Sequence, residues 1–309
     1  MGADARTTGE SMSQVKSIMV ATDLSAPARH AAMRAAMLSR DLGAQLVLTH
    51  VVNLHWLEHL ALLLGPTGET LPKRLYDNGV RELNKLAAEI DSRYGVAACT
   101  HAAQGVVLEE IVDQAERMEA DLMVMGNRGK GFVREVLMGS TTERVLRKTT
   151  RPLLMVKQMP HEPYRRIMVP VDFSGRSVAA VRLAHAMSPQ AELILLHAFE
   201  APYESKLHYA GIDEGEIKAL RNAAKAEAGL RMADLLADAR LPPGKTRSSV
   251  LPGPAIDCIL EQEQEQDCDL IVIGKHGYGT VEELLLGSVT KHLLMMSSCD
   301  VLVAGRDVD

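Results

Sequence analysis

Short runs of β-branched and leucine residues alternate along the chain with longer stretches whose apolar residues recur at helical spacing. This alternation predicts parallel strands joined by right-handed helical crossovers. In the first half the predicted strands are Ser17–Thr22, Gln45–Val52, Ala97–Ala103, Leu122–Met125 and Pro152–Val156. In the second half they are Arg166–Val171, Glu192–Ala198, Thr246–Leu251, Leu270–Ile273 and Val301–Ala304.

Helices are predicted to fill the gaps between the strands. Clear examples are PARHAAMRAAMLSRDLG, in which Gly43 is the predicted C-cap, and GEIKALRNAAKAEAGLRMADLLADA. Each half is therefore predicted to be a five-stranded, doubly wound α/β layer.

Landmark residues occur twice at nearly constant separation, which indicates a duplicated domain. The pairs are Asp23 and Asp172 (149 residues apart), His50 and His197 (147), and Gly105 and Gly253 (148). Two prolines and clustered charges between Lys157 and Arg166 interrupt the apolar pattern, so the join is expected there. The expected organisation is a flexible tail over 1–15, a first domain over 16–158 and a second over 165–306.

Each half also contains the glycine pattern G-x2-G-x9-G-S, in GNRGKGFVREVLMGS and, 148 residues later, in GKHGYGTVEELLLGS. An aspartate and a short apolar run precede each copy, while most residues between the glycines differ. Fixed glycines among changing residues indicate a constraint on backbone geometry. We expect a sharp turn after Gly126, with Gly129 allowing a positive φ or the close approach of a ligand.

The residues after Gly139 and Gly287 are predicted to begin helices. A helix start presents unpaired N–H donors and a partial positive charge, which suit phosphate groups. Ser140 can be a plain N-cap, and Glu143 three residues later would complete a capping box. Because Ser288 has Lys291 at that position, the second copy lacks the box.

Asp23 and Asp172 follow the first predicted strand of their copies, whereas the glycine segments follow the fourth. If these strands are neighbours, the aspartates lie beside the glycine segments at the ligand crevice of a doubly wound sheet. Each aspartate can accept hydrogen bonds from a nucleoside, or simply cap the next helix. His50 and His197 end apolar strands, where a hydrogen-bonded structural histidine is expected.

The chain carries an ordered set of motifs, namely MVATDLS or MVPVDFS, a strand ending in His-Val or His-Ala, and G-x2-G-x9-G-S followed by a helix and RPLLMVK. In this ordered set of motifs, the chain resembles the universal stress protein family. The resemblance covers nearly the whole chain twice, apart from the N-terminal tail and residues 53–74. It implies a tandem member of the ATP-binding branch, with strand order 3-2-1-4-5 in each domain. It also implies association through the fifth strands, either within one chain or in a homodimer.

By this resemblance each copy has its own adenine nucleotide site. The first would use Asp23 and Val51 at the adenine, Met125 and Gly126 at the ribose, and Gly129, Gly139, Ser140 and Thr141 at the phosphates. The second would use Asp172, Ala198, Ile273, Gly274, Gly277, Gly287, Ser288 and Val289. Two features depart from the family pattern: Ala21 stands where the second copy has Pro170, and neither copy has the proline usually found two residues after Gly105 or Gly253.

The expected function is that of an ATP-binding stress regulator that acts on an unidentified regulatory protein. Whether Mg²⁺ accompanies the ATP is left open. Slow ATP hydrolysis and a nucleotide-free scaffold are the alternatives, although the sequence has no Walker G-K-[ST] ending, no dedicated catalytic base and no G-x-S-x-G. Four cations within the glycine segments could touch phosphate or be solvated: Arg128, Lys130, Lys275 and His276.

Composition narrows the remaining possibilities. The chain has 309 residues and a net charge of -6 with its basic residues dispersed, which disfavours nucleic acid as a partner. We expect a cytoplasmic protein without a membrane span, whose four cysteines are reduced and mostly buried. The irregular segment 53–74 is interpreted as a covering helix or lid rather than a membrane contact, and the spacing of His55 and His59 is a weak indication of a metal site.

Overall fold

The computed structural model describes residues 15–53, 66–127, 139–200, 209–242, 244–275 and 286–305. The strands of the first half are β1 (Ser17–Ala21), β2 (Gln45–Val52), β3 (Ala98–Gln104), β4 (Leu122–Gly126) and β5 (Leu153–Val156). Those of the second half are β6 (Arg166–Pro170), β7 (Glu192–Phe199), β8 (Thr246–Pro252), β9 (Leu270–Gly274) and β10 (Asp300–Ala304). All ten predicted strands are therefore present, with ends that differ by one residue at most.

The helices of the first half are α1 (Ala26–Leu42), α2 (Pro66–Tyr94), α3 (Val107–Arg117) and α4 (Ser140–Lys148). Those of the second half are α5 (Gly175–Met187), α6 (Glu214–Ala239), α7 (Ala255–Glu265) and α8 (Ser288–Met296). Gly43 ends α1 with a φ of 68°, as predicted for its C-cap. Most of the irregular segment, with His55 and His59, lies outside the described residues.

The strands form one ten-stranded sheet in the order β3-β2-β1-β4-β5-β10-β9-β6-β7-β8. Each half has the order 3-2-1-4-5 and is parallel throughout. The two halves meet where β5 and β10 pair antiparallel, with Leu154 opposite Leu302. The fold class and the association of the fifth strands are thus confirmed, and the association occurs within one chain.

Each face of the sheet carries an apolar core that continues across both halves. On one face β1 and β6 contribute Ile18 and Ile167 beneath α1, α2, α5 and α6. On the other face they contribute Met19 and Met168 beneath α3, α4, α7 and α8. The two domains are therefore not separately packed units, because both layers of side chains run through the β5–β10 junction.

An aspartate at the start of β4 and another at the start of β9 fix the neighbouring first strand. The Asp121 carboxylate accepts the backbone N–H groups of Lys16 and Ser17 at 2.8 and 3.0 Å. Asp269 accepts those of Arg165 and Arg166 at 2.7 and 2.8 Å. The aspartate that precedes each glycine segment in the sequence thus sets the register between the first and fourth strands.

Each domain supplies a lysine that caps the last helix of the other domain. Lys275, at the end of β9, is buried and donates from Nζ to the carbonyl oxygens of Arg147 and Thr149, both at 3.1 Å. Lys157, after β5, donates to the carbonyl oxygens of Leu293 and Ser297 at 3.1 and 2.5 Å. A cation at a helix C-terminus satisfies unpaired carbonyls and opposes the negative end of the helix dipole.

A buried carboxylate closes the same junction. Asp300 accepts hydrogen bonds from the Tyr164 hydroxyl at 2.7 Å and from the Lys157 backbone N–H at 2.8 Å. The Arg34 guanidinium lies 3.5 Å from its second oxygen and covers the Tyr164 ring at 4.0 Å. Burial nevertheless raises the pKa of Asp300 above its usual value. These contacts hold the linker between the domains against α1.

Removal of the Lys275 cap should destabilise the chain. In Lys275→Met the carbonyl oxygens of Arg147 and Thr149 lose their buried donor, which should lower the free energy of unfolding by about 1–3 kcal/mol. Lys291→Met, the same substitution at an exposed position on α8, should change it by about 0.5 kcal/mol or less. Guanidinium denaturation measures both variants, and equal stabilities would show that the interdomain bonds contribute nothing.

Stability should also rise with pH through Lys157. Burial lowers the pKa of this lysine from 10.5 to about 8, against the opposing effect of Cys299, Glu263 and Asp300. Between these two values the unfolded chain holds a proton that the folded chain has released, so stability increases as the pH rises and the gain is complete above about 10.5. Unfolding measured from pH 7 to 10.5 should show this gain in the wild type relative to Lys157→Met. Identical profiles would contradict it.

Candidate functional site

The carboxyl ends of the first and fourth strands lie side by side in both domains. Ala21 of β1 is in register with Met125 of β4, and in the second domain the corresponding residues, Pro170 of β6 and Ile273 of β9, line one cavity. Asp23 therefore follows a strand end that adjoins Gly126. This is the position at which a doubly wound sheet reverses its winding direction and opens a crevice.

A strained turn follows each strand-end aspartate. Leu24 and Phe173 have φ values of 64° and 62°, a region that bulky residues rarely adopt. In each turn the aspartate Oδ1 accepts the backbone N–H of the serine two residues later, at 3.0 Å. That serine, Ser25 or Ser174, is the N-cap of the following helix. The alternative interpretation of the aspartates as helix caps is therefore wrong.

The second aspartate has additional hydroxyl partners. Asp172 Oδ1 also accepts from Ser174 Oγ at 2.6 Å and from Ser177 Oγ at 2.7 Å. Ser177 in turn accepts the Asp172 backbone N–H at 3.1 Å. This small network fixes the carboxylate orientation at the mouth of the crevice.

Hydrogen bonds close the base of each glycine segment. In the first domain the Gly139 N–H donates to the Asn127 carbonyl at 2.8 Å, and Thr142 Oγ1 donates to the Gly126 carbonyl at 3.1 Å. In the second domain the equivalent bonds are Gly287 to Lys275 at 3.1 Å and Thr290 to Gly274 at 2.9 Å. The central residues of both segments, with Gly129 and Gly277, lie outside the described residues.

Sequence reasoning missed Thr142 and Thr290, although a signal for them was present. These threonines stand 148 residues apart, two residues after the serine of each motif. Both are buried, and each fixes its helix to the end of the preceding strand.

The helix starts differ from the predicted capping box. Gly139 is the N-cap of α4 and has no side chain with which to cap the helix, so Ser140 is the first helical residue. Glu143 instead pairs with Arg147 at 2.8 Å, one turn further along the helix. Gly287 and Ser288 have the same arrangement at α8. Both helices therefore begin without a side-chain cap, and their first N–H groups point towards the crevice with the positive end of the helix dipole.

Gly126 is required because a helix lies against it. A Cβ atom at this position would lie 2.9 Å from the backbone carbonyl carbon and oxygen of Pro27. Gly126 is not among the residues with positive φ. The first turn of α1 therefore packs directly on the end of β4, which brings the Asp23 turn close to the glycine segment.

A cavity of about 340 Å³ occupies the crevice of the second domain. It brings together seven of the eight residues predicted for the second site, the eighth being Gly277. These seven are Asp172, Ala198, Ile273, Gly274, Gly287, Ser288 and Val289. The lining includes further residues that the sequence did not indicate, among them Arg176, Ser177, Leu196, Ala255 and Ile259. We call this space the second-domain cavity.

The residues predicted for the first site take equivalent places in the first domain. Met125 and Gly126 are buried at the end of β4, while Asp23 and Val51 are half-buried at the ends of β1 and β2. Gly139, Ser140 and Thr141 form the start of α4, and Ser140 is exposed.

The two crevices differ at the residue that stands two positions before the aspartate. The Val171 N–H donates to Leu196 of β7, so the nitrogen of Pro170 faces β9 and has no hydrogen to donate. The β6–β9 ladder accordingly stops at Met168 and Ile271. In the first domain Ala21 retains its N–H and the β1–β4 ladder continues to Met125. Pro170 thus interrupts the ladder between the strand ends that border the second-domain cavity.

Both strand-end histidines are hydrogen-bonded, as expected. His50 Nδ1 lies 2.8 Å from the Thr22 carbonyl oxygen, and His197 Nδ1 lies 2.8 Å from that of Val171. Because a carbonyl can only accept, Nδ1 carries the proton in each ring. The His197 ring also packs on Phe173, with 4.2 Å between ring centroids.

From its place in the glycine segment, Lys275 was expected either to touch phosphate or to be solvated. The structure shows neither position. Lys275 is 7% exposed and points into the domain junction, where it caps α4. Arg128, Lys130 and His276 lie outside the described residues. In the described part of the chain no helix is long and apolar enough to cross a membrane.

Comparison with known proteins agrees with the duplicated architecture. Residues 14–157 and 163–305 each match the universal stress protein family. The universal stress protein MJ0531 of Methanocaldococcus jannaschii is 31% identical over 147 residues, covering 48% of this chain and 85% of that protein. A universal stress protein of Mycolicibacterium smegmatis is 25% identical over 239 residues, covering 73% of this chain and 75% of that protein.

The fold of the chain also matches that of a solved structure over most of its length. A universal stress protein from Archaeoglobus fulgidus superposes with a TM-score of 0.63 at 19% identity, covering 95% of this chain and 100% of that one. Sequence and fold together place the chain in the universal stress protein family, as a member with two of its domains in tandem.

Proposed function

We propose that this protein binds adenine nucleotides, with ATP preferred over AMP, and acts as a nucleotide-responsive stress regulator. The observation that carries the proposal is the second-domain cavity, which gathers seven predicted residues around an uncapped helix start. Its volume of about 340 Å³ falls within the usual range for small-molecule sites.

The phosphate groups would lie at the start of α8. Gly287 and Ser288 offer backbone N–H donors there, and no side chain occupies the cap position. Arg176 adds a cation to the lining of the cavity, whereas the first domain has Pro27 at the matching position. A ligand with more phosphate charge gains more from this end, which is the reason to expect ATP to bind more tightly than AMP.

The nucleoside would occupy the apolar part of the cavity. Ile273, Ala198 and Ile259 supply apolar walls, and the Asp172 carboxylate at the rim can accept hydrogen bonds from hydroxyl or amino groups. Asp23, Val51 and Met125 would have these roles in the first domain. Any Mg²⁺ would therefore have to be bound mainly by the phosphates, with the Asp172 carboxylate as the acidic group of the cavity lining.

Regulation is a better proposal than rapid catalysis. His197, the imidazole of the cavity lining, uses Nδ1 for the bond to Val171 and packs its ring on Phe173, as expected of a structural group. Within the described cavity lining, the Asp172 carboxylate accepts hydrogen bonds from the Ser174 N–H and from the hydroxyls of Ser174 and Ser177, which fix its orientation. Nucleotide occupancy would then change the surface offered to an unidentified regulatory protein.

The proposal includes a cytoplasmic location and an internal domain pair. All four cysteines are free, and Cys258, Cys268 and Cys299 are buried, as suits a reducing compartment. The fifth strands that would join two chains in a homodimer are already paired within this chain.

The first test is nucleotide binding and its division between two sites. Calorimetry of the wild type should detect ATP binding that is tighter than AMP binding. Gly139→Val should remove one nucleotide per chain and Gly287→Val the other, because a side chain at either N-cap obstructs the phosphates. Native mass spectrometry counts the bound nucleotides, and circular dichroism verifies folding.

Three results would contradict parts of this proposal. No binding of any adenine nucleotide at millimolar concentration would favour the scaffold function. Loss of both nucleotides from one folded variant would show that the sites are shared. Phosphate release near one per second, abolished by a single substitution at a glycine segment, would make the protein an ATPase.

A second test concerns the interrupted ladder between β6 and β9. Pro170→Ala restores an N–H that faces β9, so the β6–β9 ladder should extend as in the first domain and narrow the second-domain cavity. We expect ATP affinity at the second site to fall about fivefold, the effect of roughly 1 kcal/mol. Pro189→Ala, an exposed proline after α5, is the control and should bind ATP normally. Unchanged ATP affinity in Pro170→Ala would show that the interruption of the β6–β9 ladder does not affect nucleotide binding.

A further inference from the structure

On the strands of the first domain, two buried side-chain atoms within the described residues have no hydrogen-bond partner. They are the Thr49 hydroxyl oxygen on β2 and His101 Nε2 on β3. Thr49 is 1% exposed. Buried polar groups in folded proteins are nearly always paired, so an unpaired hydroxyl and an unpaired ring nitrogen together require an explanation.

These two atoms belong to neighbouring residues on one face of the sheet. Thr49 is in register with His101 on one side and with Ala21 on the other. Ala21 and Met125, its partner on β4, belong to the core beneath α3 and α4. Because residues in register on parallel strands share a face, Thr49 points towards the region between the strand ends and α3.

The second domain shows what this region contains. The residue that corresponds to Thr49 is Leu196, which is in register with Pro170 on one side and Ser249 on the other. Leu196 lines the second-domain cavity although it is 1% exposed. The low exposure of Thr49 is therefore compatible with a place in the floor of a ligand site. At the same point one site has an apolar side chain and the other a hydroxyl without a partner.

We propose that Thr49 is a specificity determinant of the first site and that its hydroxyl forms a hydrogen bond with a polar edge of the nucleobase. This inference rests on the proposed nucleotide binding. A threonine hydroxyl can donate one hydrogen bond and accept others, so it can pair with the amino group or a ring nitrogen of adenine. His101 Nε2 is a second polar group beside it. In the second site the base would instead pack against Leu196, with the Asp172 carboxylate at the rim as the hydrogen-bond acceptor.

The fold itself gains nothing from an unpaired hydroxyl at this point. Valine has nearly the same shape as threonine and would remove the unpaired group, so it should stabilise the ligand-free chain. A role in the fold therefore predicts no loss of function in Thr49→Val, whereas ligand recognition predicts higher stability together with weaker binding. These opposite effects distinguish the two roles.

The test uses the full chain in three variants. Thr49→Val removes the hydroxyl and Thr49→Ser keeps it. Thr100→Val is the matched control, since Thr100 is adjacent to His101 on β3 and already donates to Asn84 Oδ1 at 2.9 Å. ATP affinity is measured by calorimetry, and the unfolding temperature is measured without nucleotide.

In Thr49→Val one of the two ATP binding events should weaken about tenfold, while the ligand-free unfolding temperature rises by about 2 °C. Thr49→Ser and Thr100→Val should bind like the wild type. A Thr49→Val chain that is more stable but binds both nucleotides normally would overturn the inference and leave a buried water as the partner of the hydroxyl. If the wild type itself binds no ATP, the proposed function fails first and the inference falls with it.

Discussion

The antiparallel pairing of β5 with β10 is the constraint on which the rest of the structure depends. It joins two parallel half-sheets into one and lets both apolar cores continue from one repeat to the other. It also turns the carboxyl ends of α4 and α8 towards the opposite domain, where Lys275 and Lys157 cap them. Since a helix has one direction, the same arrangement directs the amino ends of α4 and α8 towards the two crevices. Domain association and the position of the helix starts proposed to bind phosphate therefore have a common cause.

Duplication has given the two crevices the same frame and different linings. The turn after the aspartate, the closure of the glycine segment and the threonine bond from the last helix occur in both domains with nearly equal distances. The linings differ where side chains, rather than backbone, meet the space. Pro170 interrupts a strand ladder that continues past Ala21 in the first domain, and Leu196 stands where the first domain has the Thr49 hydroxyl. Backbone geometry is thus the same at both proposed phosphate sites, while single side chains alter the proposed nucleoside end.

The sequence predicted the strands well because they depend on local patterns that are present twice, whereas the strand order followed from the resemblance to the universal stress protein family. It failed where the deciding contact is distant. Gly139 replaces Ser140 as the N-cap because its N–H closes the glycine segment on Asn127, a bond that no local propensity indicates. Lys275 leaves the crevice because α4 of the other domain ends beside it. The Ala21 and Pro170 difference was visible in the sequence, but its effect on the ladder needs the direction in which each nitrogen points.

Stabilising and destabilising features lie at opposite edges of the sheet. At the amino edge Asp121 and Asp269 each accept two backbone N–H groups and fix the first strand to the fourth. At the carboxyl edge Leu24 and Phe173 adopt positive φ, at a cost of about 1–2 kcal/mol each. The Thr49 hydroxyl near that edge lacks a partner, and α4 and α8 begin there without side-chain caps. Under the proposed nucleotide binding, the ligand would satisfy the unpaired groups at the carboxyl edge, and the firmly held amino edge and the β5–β10 junction offset the free-energy cost of leaving them unpaired.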